Sequence, residues 1–189
     1  MPAFQAQTFL VTSRDVSSTW RPGCPVAPAE LRRLSVSHWG FDGTAHLGEL
    51  IVHRDAAAAM VQVFHRLYDI RFPIHRMHRV DYYGGSDDRS MAADNTSGFN
   101  CRLRTGSTTV WSEHSYGKAV DVNPVENPYV NGTSVLPPAG QPYTDRRLTV
   151  PGMVHSADSV VAAFAAVGWS WGGAWTRPID YQHFSRSGH

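Results

Sequence analysis

The chain changes its hydrophobic period several times. Residues 32–41, RRLSVSHWGF, alternate apolar and polar side chains at period two, which predicts a half-buried strand. The turn DGTAHLG follows, then the apolar run GELIVH (48–53), and the pair predicts a hairpin. At residue 54 the period becomes helical. In RDAAAAMVQVFHRLYDI (54–70), Ala57, Met60, Val61, Phe64, Leu67 and Tyr68 share one stripe, and Pro73 comes just past the end. IHRMHRVDYY (74–83) predicts another strand. The polar, glycine-containing residues 84–102 predict a long loop with one helical turn around residues 89–93.

The second half is more broken. KAVDVNP (118–124) predicts a short strand. Residues 125–147, rich in Pro, Gly and Asn, predict a surface insertion. SADSVVAAFAAVG (156–168) predicts a helix capped by Ser156 and stopped by Gly168. WSWGGAWTRPIDYQHF (169–184) predicts strands and turns to close the chain. Helices and strands do not alternate regularly, so the expected class is α+β, a small antiparallel sheet with flanking helices.

Composition narrows the partners. A length of 189 residues fits one domain, and a hydrophobic fraction of 42% supports a core. The net charge is +1, the sixteen arginines are scattered, and Lys118 is the single lysine. No basic run calls for a nucleic acid. No stretch reaches the roughly 20 apolar residues of a membrane span. The N-terminal MPAFQAQTFLVTSRD lacks the basic start and apolar block of a signal peptide. Cys24 and Cys101 are too few for a four-cysteine metal cluster. Joined, they would close a loop of roughly 78 residues worth roughly 4 kcal/mol in the chain-entropy model, and would imply an oxidising compartment. Two separate buried thiols are the other reading.

The chemistry gathers in SEHSYGKAVDVNP (112–124) and DYQHF (180–184). A catalytic zinc site uses three protein ligands and keeps one position open. His114 in a loop, Asp121 in the next strand and His183 on a distant strand could supply the three. Gly117 would let the backbone pass close to the metal, and Ala119, two residues before Asp121, would leave space for it. Asp180, three residues before His183, suits a proton carrier. Arg102 suits an oxyanion or a substrate carboxylate. On spacing alone each has a structural alternative: His114 capping a turn, Asp121 capping strand-end amides, His183 packed at an edge. Trp169, Trp171 and Trp175 crowd the approach to Asp180 as cleft wall or core; Trp171 is assigned to the cleft because glycines follow it. Asp87 and Asp88 read as a solvated turn rather than a calcium site. Asn95 and Asn100 are suited to hold the loop that carries Arg102.

Taken together the motifs carry a resemblance. SEHSYGKAVD resembles the S-x-H-x-x-G-x-A-x-D signature of the zinc D-Ala-D-Ala carboxypeptidase family, which includes vancomycin-resistance carboxypeptidases and dipeptidases and the L-Ala-D-Glu endopeptidases of bacilli and phages. DYQHF is similar to its D/E-x-x-H second half, and SMAADNTSGFNCR to the upstream block that ends in a functional arginine. The resemblance covers roughly residues 24–185. It implies that His114, Asp121 and His183 bind zinc, that Asp180 is general base and acid, that Arg102 balances transition-state charge, and that Ser112 holds substrate or orients the site. Glutamate is common where this chain has Asp180, one methylene shorter. The implied fold is the core shared with lysostaphin-like peptidases and the hedgehog signalling domain, here over 24–189 after an extension at 1–23. The implied substrate is the peptidoglycan stem peptide, at its L-Ala-D-Glu or D-Ala-D-Ala bond, with the endopeptidase branch slightly favoured. The expected setting is extracellular or in the cell wall, a phage lytic enzyme included, with a monomer and no nucleic acid. A reading from a different class is a non-catalytic zinc-containing binding domain that keeps the peptidase fold.

Overall fold

The hairpin forms where the alternation predicts it. In the computed structural model, which describes residues 2–189, β1 is Ala6–Leu10, β2 Leu31–Trp39 and β3 Ala45–His53. These make an antiparallel sheet in the order β1-β2-β3. Helix α1, Arg54–Asp69, follows at once; the His53 ring accepts from the Asp55 amide and so caps it. Its buried stripe includes the predicted Ala57, Met60, Phe64, Leu67 and Tyr68. Val63 is buried as well, while Val61 is only partly covered. This stripe lies on Leu34, Val36, Leu50 and Val52 of the sheet to form the main core.

Beyond α1 come β4 (Arg76–Met77), α2 (Asp87–Ala92), β5 (Asn95–Thr96), β6 (Ala119–Asp121), β7 (Tyr129–Asn131), β8 (Ser134–Leu136), α3 (Ser159–Ala165), β9 (Ser170–Trp171), β10 (Ile179–Asp180) and β11 (His183–Ser185). Two further antiparallel sheets run β6-β11-β9 and β10-β7-β8, and β4 pairs with β5 in parallel. A short extended segment joins the first sheet to the site. Ser97 exchanges both backbone bonds with Asp121 at 2.9 Å, and the Phe99 amide donates to the Ile51 carbonyl at 2.7 Å. Thus β3, residues 97–99, β6, β11 and β9 stand side by side.

Three local expectations are corrected. Residues 74–83 form only a two-residue strand and a turn of 3-10 helix, because their buried side chains, Ile74, Met77 and Val80, fall every third residue rather than every second. The cap of α3 is Asp158, not Ser156; the Asp158 carboxylate accepts from the His155 amide at 2.7 Å and closes the preceding turn. Gly168, with φ of 79°, ends that unit as expected. Residues 125–147 are not a loose insertion. Asn127 is fully buried and bonds Val122, Gly152 and Val154, and Arg146 donates to the Glu126 and Val154 carbonyls while lying 4.3 Å from the Tyr181 ring. The β7–β8 hairpin is thereby fixed beside β10.

Cys24 and Cys101 are joined by a disulfide that ties the chain before β2 to the segment before Arg102. Among the described residues, no helix is long and apolar enough to cross a membrane.

The root of that hairpin carries a buried acid pair. Burial, reinforced by the charge and hydrogen bond of Asp94, pushes the Glu126 carboxyl up to about 8. Asp94 is itself engaged by His75 Nδ1 at 2.8 Å and by the Val125 amide. An acid with a raised folded pKa contributes stability below its unfolded value, and loses that contribution as pH rises through the folded one. Glu126→Gln should therefore match the wild type near pH 4.5 and become the more stable of the two as pH approaches 8. Urea midpoints across that window check it; a difference that does not change with pH contradicts it.

Candidate active site

Strand pairing sets the first two groups of the site. Asp121 on β6 lies directly opposite His183 on β11, so their side chains share one face of the sheet. Val120 and Val122, the neighbours of Asp121, point the other way into the core. His183 Nδ1 stands 3.1 Å from Asp121 Oδ1, and its Nε2 faces the His189 carbonyl at 3.3 Å.

The third group comes from a turn of 3-10 helix, Glu113–Tyr116. Ser112 Oγ accepts from the His114 amide at 3.3 Å and opens the turn; Gly117, with φ of 64°, closes it. A Cβ on Gly117 would stand 2.5 Å from the His53 nitrogen, so this glycine permits close approach to the end of β3 and not, as expected, to the metal. The Gly98 carbonyl accepts from His114 Nδ1 at 2.7 Å. That bond fixes the orientation of the ring and turns Nε2 toward Asp121 Oδ2, 3.0 Å away.

Ligand atoms of His114, Asp121 and His183 lie within 4.8 Å of one another, and all three residues are buried. Burial disfavours charge on Asp121, but the two imidazoles outweigh it and hold the carboxyl far below its usual range. Burial likewise lowers the His114 ring, and the Asp121 carboxylate more than reverses it. The His114 nitrogen faces Asp121 without hydrogen-bond alignment and has no other partner. Two imidazole nitrogens and a carboxylate oxygen converging this way form a donor set for a divalent cation.

Asp180, on β10, reaches the same cleft. It pairs with Tyr129, so the β7–β8 hairpin sets its height. Burial pushes its carboxyl up to about 7, with the nearby His183 lowering it and Asp121 raising it. A Cβ on Gly172 would stand 2.8 Å from the Asp180 carbonyl and 3.3 Å from the His183 Cβ; its absence lets the chain turn behind both. Arg102 is held by Asp87, Nη2 to Oδ2 at 2.9 Å, and Asn100 donates to the other Asp87 oxygen. Asn95 binds the His78 backbone and Ser90 instead, steadying the loop from below.

The cleft encloses about 490 Å³. Ser112, Arg102, His114, Asp121, Asp180 and His183 all line it. Trp171 does not, contrary to expectation. It is buried in the core, its indole donating to the Tyr181 carbonyl, because it falls on the face of β9 that meets Phe184. Trp175 lines the cleft in its place. Asp87, read from the sequence as part of a solvated turn, and the Gly98 carbonyl are the partners that sequence reasoning missed. Neither lies in a motif whose spacing reveals its role. Four buried polar atoms without a hydrogen-bond partner belong to cleft residues: Arg102 Nε, His114 Nε2, Asp180 Oδ1 and Gln182 Oε1.

Residues 105–186 match the family model described as D-alanyl-D-alanine carboxypeptidase. The match supports the carboxypeptidase family that the motifs resemble. The matched segment contains the three candidate ligands and Asp180, while Arg102 and Asp87 lie upstream of it. No curated protein and no solved structure matches the chain.

The Gly98 carbonyl anchors the His114 imidazole from the side away from Asp121. A Cβ on Gly98 would run into the Ile51 carbonyl, so Gly98→Ala must displace that anchor. The substitution should weaken divalent-cation binding by about tenfold, the low end for loss of an outer-shell partner. Chelator competition measures it; unchanged affinity would show that His114 is oriented by something else.

Proposed function

We propose that the protein is a zinc peptidase that hydrolyses stem peptides of bacterial peptidoglycan. The observation that carries this reading is the buried His-Asp-His cluster together with four unpartnered buried polar atoms, one of them His114 Nε2, on residues that line the same cleft. Unpaired buried polar groups are costly and rare, and here they point to an ion and a polar substrate that complete them. His114, Asp121 and His183 would hold the zinc. When bound, the ion supplies Lewis acidity at the scissile carbonyl and makes water more acidic.

The remaining steps belong to the chain. Asp180 takes a proton from the attacking water, whose oxygen joins the carbonyl carbon. The same carboxyl then returns the proton to the departing amine as the C–N bond breaks. Its environment suits both tasks, because burial brings the carboxyl close to neutrality. Arg102, held in place by Asp87, donates to the developing oxyanion. Ser112 shapes the turn that presents His114. Trp175 forms an aromatic wall where Trp171 was expected. The carboxypeptidase description of the family favours the D-Ala-D-Ala bond; the DYQHF ending favours L-Ala-D-Glu. Muropeptide mass spectrometry after digestion distinguishes them.

On the same reading residues 24–189 carry a single catalytic domain with a hedgehog-like peptidase core, acting as a monomer, and the preceding segment adds β1 to its first sheet. The disulfide supports an oxidising, extracellular or cell-wall setting. A binding domain that only keeps the fold is disfavoured, since it has no use for a buried carboxyl aimed at an open cleft.

Asp180→Asn should retain zinc and lose about 10²- to 10⁴-fold in the rate of stem-peptide cleavage, the usual contribution of a proton carrier. Metal analysis beside a digestion assay decides. Undiminished cleavage would remove Asp180 from the mechanism.

A further inference from the structure

A second, shallower groove of about 430 Å³ opens beside the cleft and shares Arg104 and Glu113 with it. Its other lining residues include Trp111, Tyr116, Lys118 and Arg186. The Ala119–Ser185 pairing continues by one step, the Arg186 amide donating to the Lys118 carbonyl at 3.1 Å. Lys118 and Arg186 are therefore directly opposed across an antiparallel ladder. Like charges so placed repel and destabilise a sheet. Neither cation, nor Arg104, forms an ion pair among the described residues, and Glu113 is the one carboxylate lining the groove. Arg21 adds a further positive charge, 5.8 Å from the Trp111 ring. An anion seated between the two strands would relieve the repulsion, and the half-buried rings of Trp111 and Tyr116 would cover the aliphatic part of the ligand.

We infer that this groove is an anion subsite that takes a carboxylate of an acidic peptide substrate beyond the bond held in the main cleft. The inference rests on the peptidase reading for the identity of the ligand, a stem peptide with several free carboxyl groups. Lys118 and Arg186 pair with the carboxylate, and Arg104 links the two grooves. Their effect is specificity: free-acid stem peptides are bound in preference to those whose carboxyls are amidated.

The test uses zinc-loaded Asp180→Asn protein, so that ligands bind without being cut. Calorimetry compares a stem peptide carrying free carboxylates with its amidated counterpart. The free acid should bind about tenfold more tightly at low salt, the size expected for two partly exposed ion pairs, and the preference should shrink as salt rises. Lys118→Ser/Arg186→Ser should abolish the preference. Arg104→Ser, on an exposed loop away from the ladder, should reduce it and serves if the double variant does not fold. A preference that survives these substitutions, or tighter binding of a glycerol-phosphate polymer than of the acidic peptide, overturns the assignment. Loss of the preference in variants, in a protein whose Asp180 form cuts neither peptide, would sustain the groove and sink the peptidase reading. Cleavage of both peptides without any preference would do the reverse.

Discussion

The site depends on a carboxylate placed inside the protein between two imidazoles. An ionised Asp121 on its own would be expensive at 4% exposure, on the order of several kcal/mol. His114 and His183 on either side offset that cost and hold the carboxyl ionised. The same arrangement leaves donor atoms of all three pointing at one place. A divalent cation there would complete what the side chains only partly satisfy. The centre is thus, first of all, a compensated buried charge.

The sheet enforces the arrangement through register. Asp121 lies between Ser97 on one side and His183 on the other, with backbone bonds to Ser97 at 2.9 Å. A slip of one residue would exchange Asp121 with Val120 or Val122 and drive a charge into the core. Burial of those two valines therefore fixes the direction of the carboxylate. The Gly98 carbonyl belongs to the segment that stitches β3 to β6, so the fold that aligns Asp121 also orients His114. Asp180 and Arg102, the residues proposed as proton carrier and oxyanion donor, arrive from outside this unit, Asp180 by way of the β7–β8 hairpin and Arg102 by way of α2.

Much of this was legible in the sequence where periodicity or motif spacing speaks. The β2–β3 hairpin and α1 follow from clean periods of two and 3.6. The convergence of His114, Asp121 and His183 follows from the two motifs, as does the nearness of Asp180. What escaped was set by contacts between distant parts of the chain. Every-third burial at Ile74, Met77 and Val80 imitates a strand when only alternation is sought. Asn127 and Arg146 sit in a Pro- and Gly-rich stretch that looks like surface, and only their tertiary bonds show otherwise. Trp171 and Trp175 differ by four positions in one aromatic cluster, and no local pattern says which faces the cleft. Asp87 matters because Arg102 meets it, an event fifteen residues further along the chain.

The most direct test of the account is the coordination shell of the zinc-loaded protein, read by X-ray absorption. Stoichiometric zinc with two imidazole nitrogens, one carboxylate oxygen and one exchangeable light ligand, at about 2.0–2.2 Å, is the predicted result. A shell that contains sulfur, that lacks imidazole scattering, or that survives unchanged in Asp121→Ala would contradict it.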